Sequence, residues 1–228
     1  MLLPLRVRSS KTIILDIDGT LVDSNDAHAA SWVDALRAYG IEVPFERVRP
    51  LIGKGGDKVL PEVSGVDPES ARGREISARR KAIFREEYLP KLAPFSGARA
   101  LLERMKRDGF TLVVGTSAEA DLVSGLLDVA KVRDLVDETT TSDDAERSKP
   151  DPDIVEAAVA EAGAEPRRAW MLGDTPYDIE AAARAGVRCV ALRCGGWDDA
   201  ALAGAIAIYD DPLDLLSRYE TSPFAAER

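Results

Sequence analysis

Asp16 and Asp18 stand two residues apart at the end of an apolar run and just before Gly19, in the stretch Thr12 to Ser24, TIILDIDGTLVDS. Carboxylates so placed can attack an electrophile, move a proton or hold a hard cation. Two acids so close repel, so the site needs a cation or a shifted pKa. Three later stretches carry further candidates. Thr116 and Ser117 follow the apolar run 110–114, Lys149 lies between Ser148 and Pro150, and Asp174 and Asp178 follow Trp170-Met171-Leu172 and Gly173. Hydroxyls and N–H groups just before a helix make a natural cradle for a phosphate oxygen. Each stretch also has a plainer reading: Asp-Gly favours turns, Thr-Ser caps helices, carboxylates favour helix N-termini, and a lone lysine is usually solvated. Recurring in this order, each at a strand or loop end, the plainer readings fail together.

An open α/β sheet presents chemistry in this way, at the carboxyl edge of its strands. Residues 12–15 read as a buried strand. Strand alternation would put Asp16 and Asp18 on one side, but the chain is leaving the sheet, so the two carboxylates can diverge and take different tasks. From Asn25 to Tyr39, Trp32, Val33, Leu36 and Tyr39 recur at helical spacing, with Gly40 as a stop. A short helix is expected over 45–51, then a flexible, Gly-rich loop over 52–58. Residues 68–89 form a highly charged stretch with a narrow apolar stripe of Ile76, Ile83 and Phe84. With no convincing strand over 25–92, this block reads as a helical insert after the first strand. Beyond Pro94 the predicted helices 97–108, 118–127, 153–162, 177–185 and 212–219 alternate with strands at 110–114, near Val136, and at 169–172, 187–192 and 205–208. That order predicts an α/β fold with a doubly wound, mainly parallel sheet covered by helices on both faces. The tail after Glu220 is expected to fray.

The 228 residues, 45% hydrophobic and 31% charged, have an ordinary soluble globular composition and room for a substantial core. A formal charge of −10 argues against nucleic-acid binding, so an anionic substrate must be attracted locally. The opening MLLPLRVRSS is too short for a signal-peptide core and reads as a loose leader. No window reaches the length of a membrane span, so no membrane partner is expected. Cys189 and Cys194 have neither metal nor redox spacing, which fits a reduced, cytoplasmic setting. With a single histidine, any metal site must be built from oxygen ligands.

Asp16-Ile17-Asp18-Gly19-Thr20-Leu21-Val22, then Thr116-Ser117, Lys149-Pro150 and Gly173-Asp174 with Asp178, together resemble the four motifs of the haloacid dehalogenase superfamily of phosphotransferases. The resemblance covers 12–192, and the insert between the first and second motifs is similar to the helical-cap subclass that includes phosphoglycolate phosphatases and β-phosphoglucomutases. It implies a Rossmann-like core of 1–24 and 93–228 and a helical cap domain of 25–92. It further implies Asp16 as the nucleophile that becomes an aspartyl phosphate, with Asp18 as general acid and base. Asp16, the backbone carbonyl of Asp18 and the side chain of Asp174 would hold Mg²⁺. Thr116, Ser117 and Lys149 would bind the phosphoryl oxygens, and Asp178 would support the metal site from behind or reach Lys149. Asp18 also points to C–O–P chemistry, because dehalogenase-like members lack an acid there and phosphonate hydrolases typically carry a small residue.

Specificity falls to the insert. Lys54, flanked by glycines, is the candidate to touch the substrate beyond its phosphate, against the reading of a solvated loop lysine. His28 lies where sugar phosphomutases of the subclass also carry a histidine, placed either to shuttle a proton or to pack at the hinge. Arg79-Arg80-Lys81 reads as a solvated helix face. The implied activity is a Mg²⁺-dependent phosphatase for a small phosphorylated metabolite, working as a monomer or weak homodimer. The alternative within enzymes is a β-phosphoglucomutase-like sugar phosphomutase. A phosphoaccepting signalling receiver is the alternative outside them, and Asp18 and the insert count against it.

Overall fold

The computed structural model describes residues 11–118 and 120–227, so the expected leader lies outside the described residues. Six strands, β1 (Thr12–Leu15), β2 (Thr111–Gly115), β3 (Glu138–Thr140), β4 (Ala169–Gly173), β5 (Arg188–Leu192) and β6 (Ala207–Tyr209), form one sheet in the order β3-β2-β1-β4-β5-β6. Every pairing is parallel. Central strands of such a sheet are buried on both faces and must be apolar throughout. Ile13, Ile14 and Leu15 of β1 and Trp170, Met171 and Leu172 of β4 are accordingly fully buried. Helices α5 (Ala98–Arg107) and α6 (Ala120–Ala130) cover one face through Leu101, Leu102, Leu122 and Leu126. Helices α7 (Asp153–Glu161) and α8 (Pro176–Arg184) cover the other through Val155, Ala158 and Ile179. Strand order reverses between β1 and β4, so the crevice of a doubly wound sheet opens beyond their carboxyl ends.

Between β1 and α5 lie α1 (Asn25–Ala38), α2 (Phe45–Val48), α3 (Gly56–Ser64) and α4 (Ala71–Ile83). They bury a third apolar cluster of their own, centred on Trp32, Leu36, Val48, Leu60 and Ile76. Helix α3 corrects the loop expected over 52–58. Its buried stripe of Val59, Leu60 and Val63 is helical, but Gly55 and Gly56 at its start and Pro61 inside it read as breakers. It stops at Gly65, whose φ of 71° needs glycine's freedom. Two strands also shift: β2 starts at Thr111 and the edge strand β3 lies at Glu138–Thr140, past Val136.

The expected fraying after Glu220 is corrected as well. Phe224 is fully buried and packs edge-on against Phe110 and Trp170, with ring centroids 6.1 and 6.4 Å away. A single aromatic side chain thus ties the polar tail to the core. Among the described residues no helix is long and apolar enough to cross a membrane.

Candidate active site

Asp16 is the first residue past β1, and its N–H still donates to the Leu172 carbonyl at 2.9 Å. The sheet therefore fixes where this carboxylate leaves the strand. Asp174 follows β4 in the same way, and Asp178 sits on the first turn of α8, capped by Thr175, whose N–H and Oγ1 donate to Asp178 Oδ2 at 3.0 and 2.7 Å. Carboxylate oxygens of Asp16, Asp174 and Asp178 lie within 4.8 Å of one another. The fully buried Lys149 donates from Nζ to Asp16 Oδ1 at 2.6 Å and to Asp178 Oδ1 at 2.7 Å. Thr20 Oγ1 and Asn25 Nδ2 donate to the two oxygens of Asp174, at 3.0 and 2.8 Å. Gly19 and Gly195 back onto that carboxylate so closely that a Cβ on either would collide with Oδ2.

Three buried carboxylates facing one ammonium leave negative charge uncompensated. Burial pushes Asp16 up to about 8, aided by Asp178 and Asp18 and opposed by Lys149. Burial likewise raises Asp174, with Asp178 and Asp16 adding to it. For Lys149 burial works to lower the pKa, but Asp16 and Asp178 outweigh it and hold the ammonium charged. Hard oxygen donors with surplus negative charge fit a small divalent cation such as Mg²⁺.

Asp18 turns away from this cluster. Its carboxylate accepts from Ser24 Oγ and lies 2.7 Å from His28 Nε2. The Arg80 guanidinium meets the other ring nitrogen, Nδ1. A guanidinium only donates, so Nδ1 must accept, the proton sits on Nε2, and His28 is a neutral donor to Asp18. Burial and Arg80 both lower the His28 pKa against the pull of Asp18. Burial would raise Asp18, yet its bonds from His28 and Ser24 and the charge of Arg80 bring it below its ordinary value. The two carboxylates of one strand end are thus driven in opposite directions, Asp16 toward its protonated form and Asp18 toward its ionised form, and a cation beside Asp16 or an anion beside Asp18 would reverse these directions. The His28 ring also stacks on Phe84, centroids 4.0 Å apart, so it both packs and hydrogen-bonds.

Arg79-Arg80-Lys81 departs from the expected solvated face. Arg79 is exposed, but Arg80 lies 5.4 Å from the Trp32 ring and 5.3 Å from Phe84, and Lys81 is half-buried. A charge run in sequence does not reveal which of its long side chains crosses an apolar surface to reach a partner.

Thr116 and Ser117 follow β2 and border the same cavity as Asp16, Asp18 and His28. Thr116 Oγ1 accepts from the Ala118 N–H at 3.1 Å, the local turn of the capping reading. Ser117 Oγ is buried with no hydrogen-bond partner among the described residues. Lys54 borders the cavity too, with Nζ 2.6 Å from Glu62 and 5.0 Å from the centre of the Tyr177 ring.

The residues sequence reasoning missed are those that join the insert to the sheet. Ser148 Oγ donates to Asp57 Oδ1, and the Gly55 N–H donates to that Oγ at 3.1 Å. Lys58 Nζ donates to the Ser148 carbonyl at 2.7 Å and pairs with Asp151. Arg49 and Asn25 both donate to the Gly195 carbonyl, at 2.6 and 3.2 Å. Polar Thr20 and Asn25 beside an apolar run were the available signal for the Asp174 partners.

A family model described as haloacid dehalogenase-like hydrolase matches residues 13–192. The chain is 31% identical over 192 residues to a phosphoglycolate phosphatase of Caulobacter vibrioides, covering 81% of this chain and 79% of that one. It is 29% identical over 183 residues to the validoxylamine A 7'-phosphate phosphatase of Streptomyces hygroscopicus, covering 80% and 85%. Among solved structures, a hydrolase from Pseudomonas syringae superposes with a TM-score of 0.86 at 31% identity, over 93% of this chain and 99% of that one.

Proposed function

The chain belongs to the haloacid dehalogenase-like hydrolase family, and from that premise we propose that it is a Mg²⁺-dependent phosphatase of a small phosphorylated metabolite. The observation that carries this is the divergence at the end of β1. Asp16 is held by Lys149 while Asp18, two residues on, is held by Ser24 and His28, and both border one cavity. A nucleophile and a separate proton carrier are what hydrolysis of a phosphomonoester by covalent catalysis needs.

The Asp16 carboxylate attacks phosphorus, the ester P–O bond breaks, and the leaving alcohol takes its proton from Asp18. The arriving phosphate anion raises the Asp18 pKa, so that Asp18 takes up this proton from solvent as the substrate binds. Water then attacks the phosphorus of the Asp16 acyl phosphate and gives a proton back to Asp18, releasing phosphate and restoring the Asp16 carboxylate. Lys149, Thr116 and Ser117 hold the phosphoryl oxygens; Ser117 Oγ has no hydrogen-bond partner among the described residues, which fits this role. Asp16, the Asp18 carbonyl and Asp174 would hold Mg²⁺, which neutralises phosphoryl charge when bound. Asp178 acts on this group through Lys149. In this reading 25–92 is a cap domain over a core of 1–24 and 93–228, and Lys54 belongs to its specificity loop.

The test is p-nitrophenyl phosphate turnover with and without Mg²⁺, together with rapid-quench intact mass spectrometry. Metal-dependent turnover and a phosphoryl adduct mapping to Asp16 are expected. Asp16→Asn should lower turnover at least about a thousand-fold with the fold intact; a variant that keeps its activity would remove Asp16 as the nucleophile. Isomerisation of a sugar phosphate without phosphate release would assign a mutase instead.

A further inference from the structure

The cavity above Asp16 has a volume of about 490 Å³, inside the range of roughly 300–1,000 Å³ in which proteins enclose whole small organic ligands. A transferred phosphoryl group beside Asp16, Thr116 and Ser117 occupies only its floor. The remaining space belongs to whatever the phosphate is attached to. Lys54, Arg74, Lys81 and Glu69 of the insert border that space, and Asp143 and Glu146 border it from the segment after β3. With Arg80 and Asp57, which border the cavity as well, four cations and four carboxylates balance around that space among the described residues.

A second anionic group gains little here. The carboxylate of a two-carbon acid, or the second phosphate of pyrophosphate, would meet the acids as well as the cations. A planar base fares no better. The bordering rings are His28 and Trp32; Phe84 stacks on the first, and the second is 4% exposed under the Arg80 guanidinium. Hydroxyl groups suit such walls, because each can donate to a carboxylate and accept from an ammonium or guanidinium.

We propose that the substrate carries its phosphate on a neutral, polyhydroxylated group of sugar size, its hydroxyls donating to Glu69, Asp143 and Glu146 and accepting from Lys54, Arg74 and Lys81. The inference rests on the phosphatase reading above. It is tested by kcat/KM at saturating Mg²⁺ for hexose 1- and 6-phosphates and a sugar-alcohol phosphate, against phosphoglycolate, pyrophosphate and AMP. p-Nitrophenyl phosphate reports the chemical step. The best sugar or polyol phosphate should exceed each of the other three by about ten-fold or more. Glu146→Lys, which tips the wall positive, should narrow the gap to phosphoglycolate by about three-fold or more. Turnover of p-nitrophenyl phosphate with phosphoglycolate, pyrophosphate or AMP equal to or above every sugar phosphate would overturn this inference and leave the phosphatase reading standing. No phosphate release from any compound, p-nitrophenyl phosphate included, would overturn both.

Discussion

The floor of the cavity and its walls are built on different principles. On the floor, Asp16, Lys149, Asp174 and Asp178 are buried, leave strand ends, the first turn of α8 or, for Lys149, the turn before α7, and have their side-chain atoms held by named protein donors or acceptors. On the walls, Glu69, Arg74, Asp143 and Glu146 are exposed, and no acid of that group is fixed by a lysine or arginine side chain among the described contacts. Buried charges fix one geometry at a high cost in desolvation; exposed ones fix little and can be changed at little cost. Chemistry that must not vary is placed on the first kind of surface, and discrimination that must vary on the second.

The sharpest way to break that contrast is to remove the floor's one cation. Lys149→Ala leaves buried carboxylates uncompensated and should cost roughly 3–5 kcal/mol of stability, read by urea denaturation; a loss no greater than that of a wall substitution would erase the distinction. Metal should act on the floor alone. Saturating the protein with Mg²⁺ to a hundred times Kd should stabilise it by about 2.7 kcal/mol, and Asp174→Asn should abolish that rise in Tm. Asn25→Ala, which frees one oxygen of Asp174, should weaken Mg²⁺ binding about 10–100-fold by calorimetry, with Tm in EDTA little changed. An unaltered affinity would mean that Asn25 serves only the Gly195 carbonyl. Lys54→Ala should be smallest, with Tm moved by no more than about 0.5 kcal/mol equivalent and p-nitrophenyl phosphate turnover changed less than turnover of the preferred metabolite. Equal loss on both would place Lys54 with the floor.

The same division decided what could be read from the sequence. β1 and β4 are short apolar runs that stop at an acid or at Gly-Asp, so both their burial and their polar ends were legible. Asp16, Lys149, Asp174 and Asp178 could be picked out because strand ends and proline or glycine turns mark them locally. Helix α3 was lost because local breakers mask a helix that tertiary packing of Val59 and Leu60 sustains. Arg80 was lost for a related reason: its partners His28 and Trp32 lie on α1, so nothing near it in sequence separates it from its exposed neighbour Arg79. Phe224, alone in a polar tail, gave no periodic signal for the aromatic contacts that bury it.

Ser148 to Asp151 is a short segment that answers to both halves of the molecule at once. The Lys149 side chain goes down to the acids, while Ser148 and Asp151 go up to Asp57 and Lys58 on the first turn of α3. A substitution at Asp57 or Lys58 therefore removes a contact of the segment that carries the ammonium beside Asp16, whereas one at Lys54 removes an ion pair inside the insert and an approach to the Tyr177 ring. For an evolving lineage or an engineer, the two sides of Gly55 are therefore unequal: among the described contacts Lys54 touches none of the segment that carries Lys149, whereas Asp57 and Lys58 help to seat it.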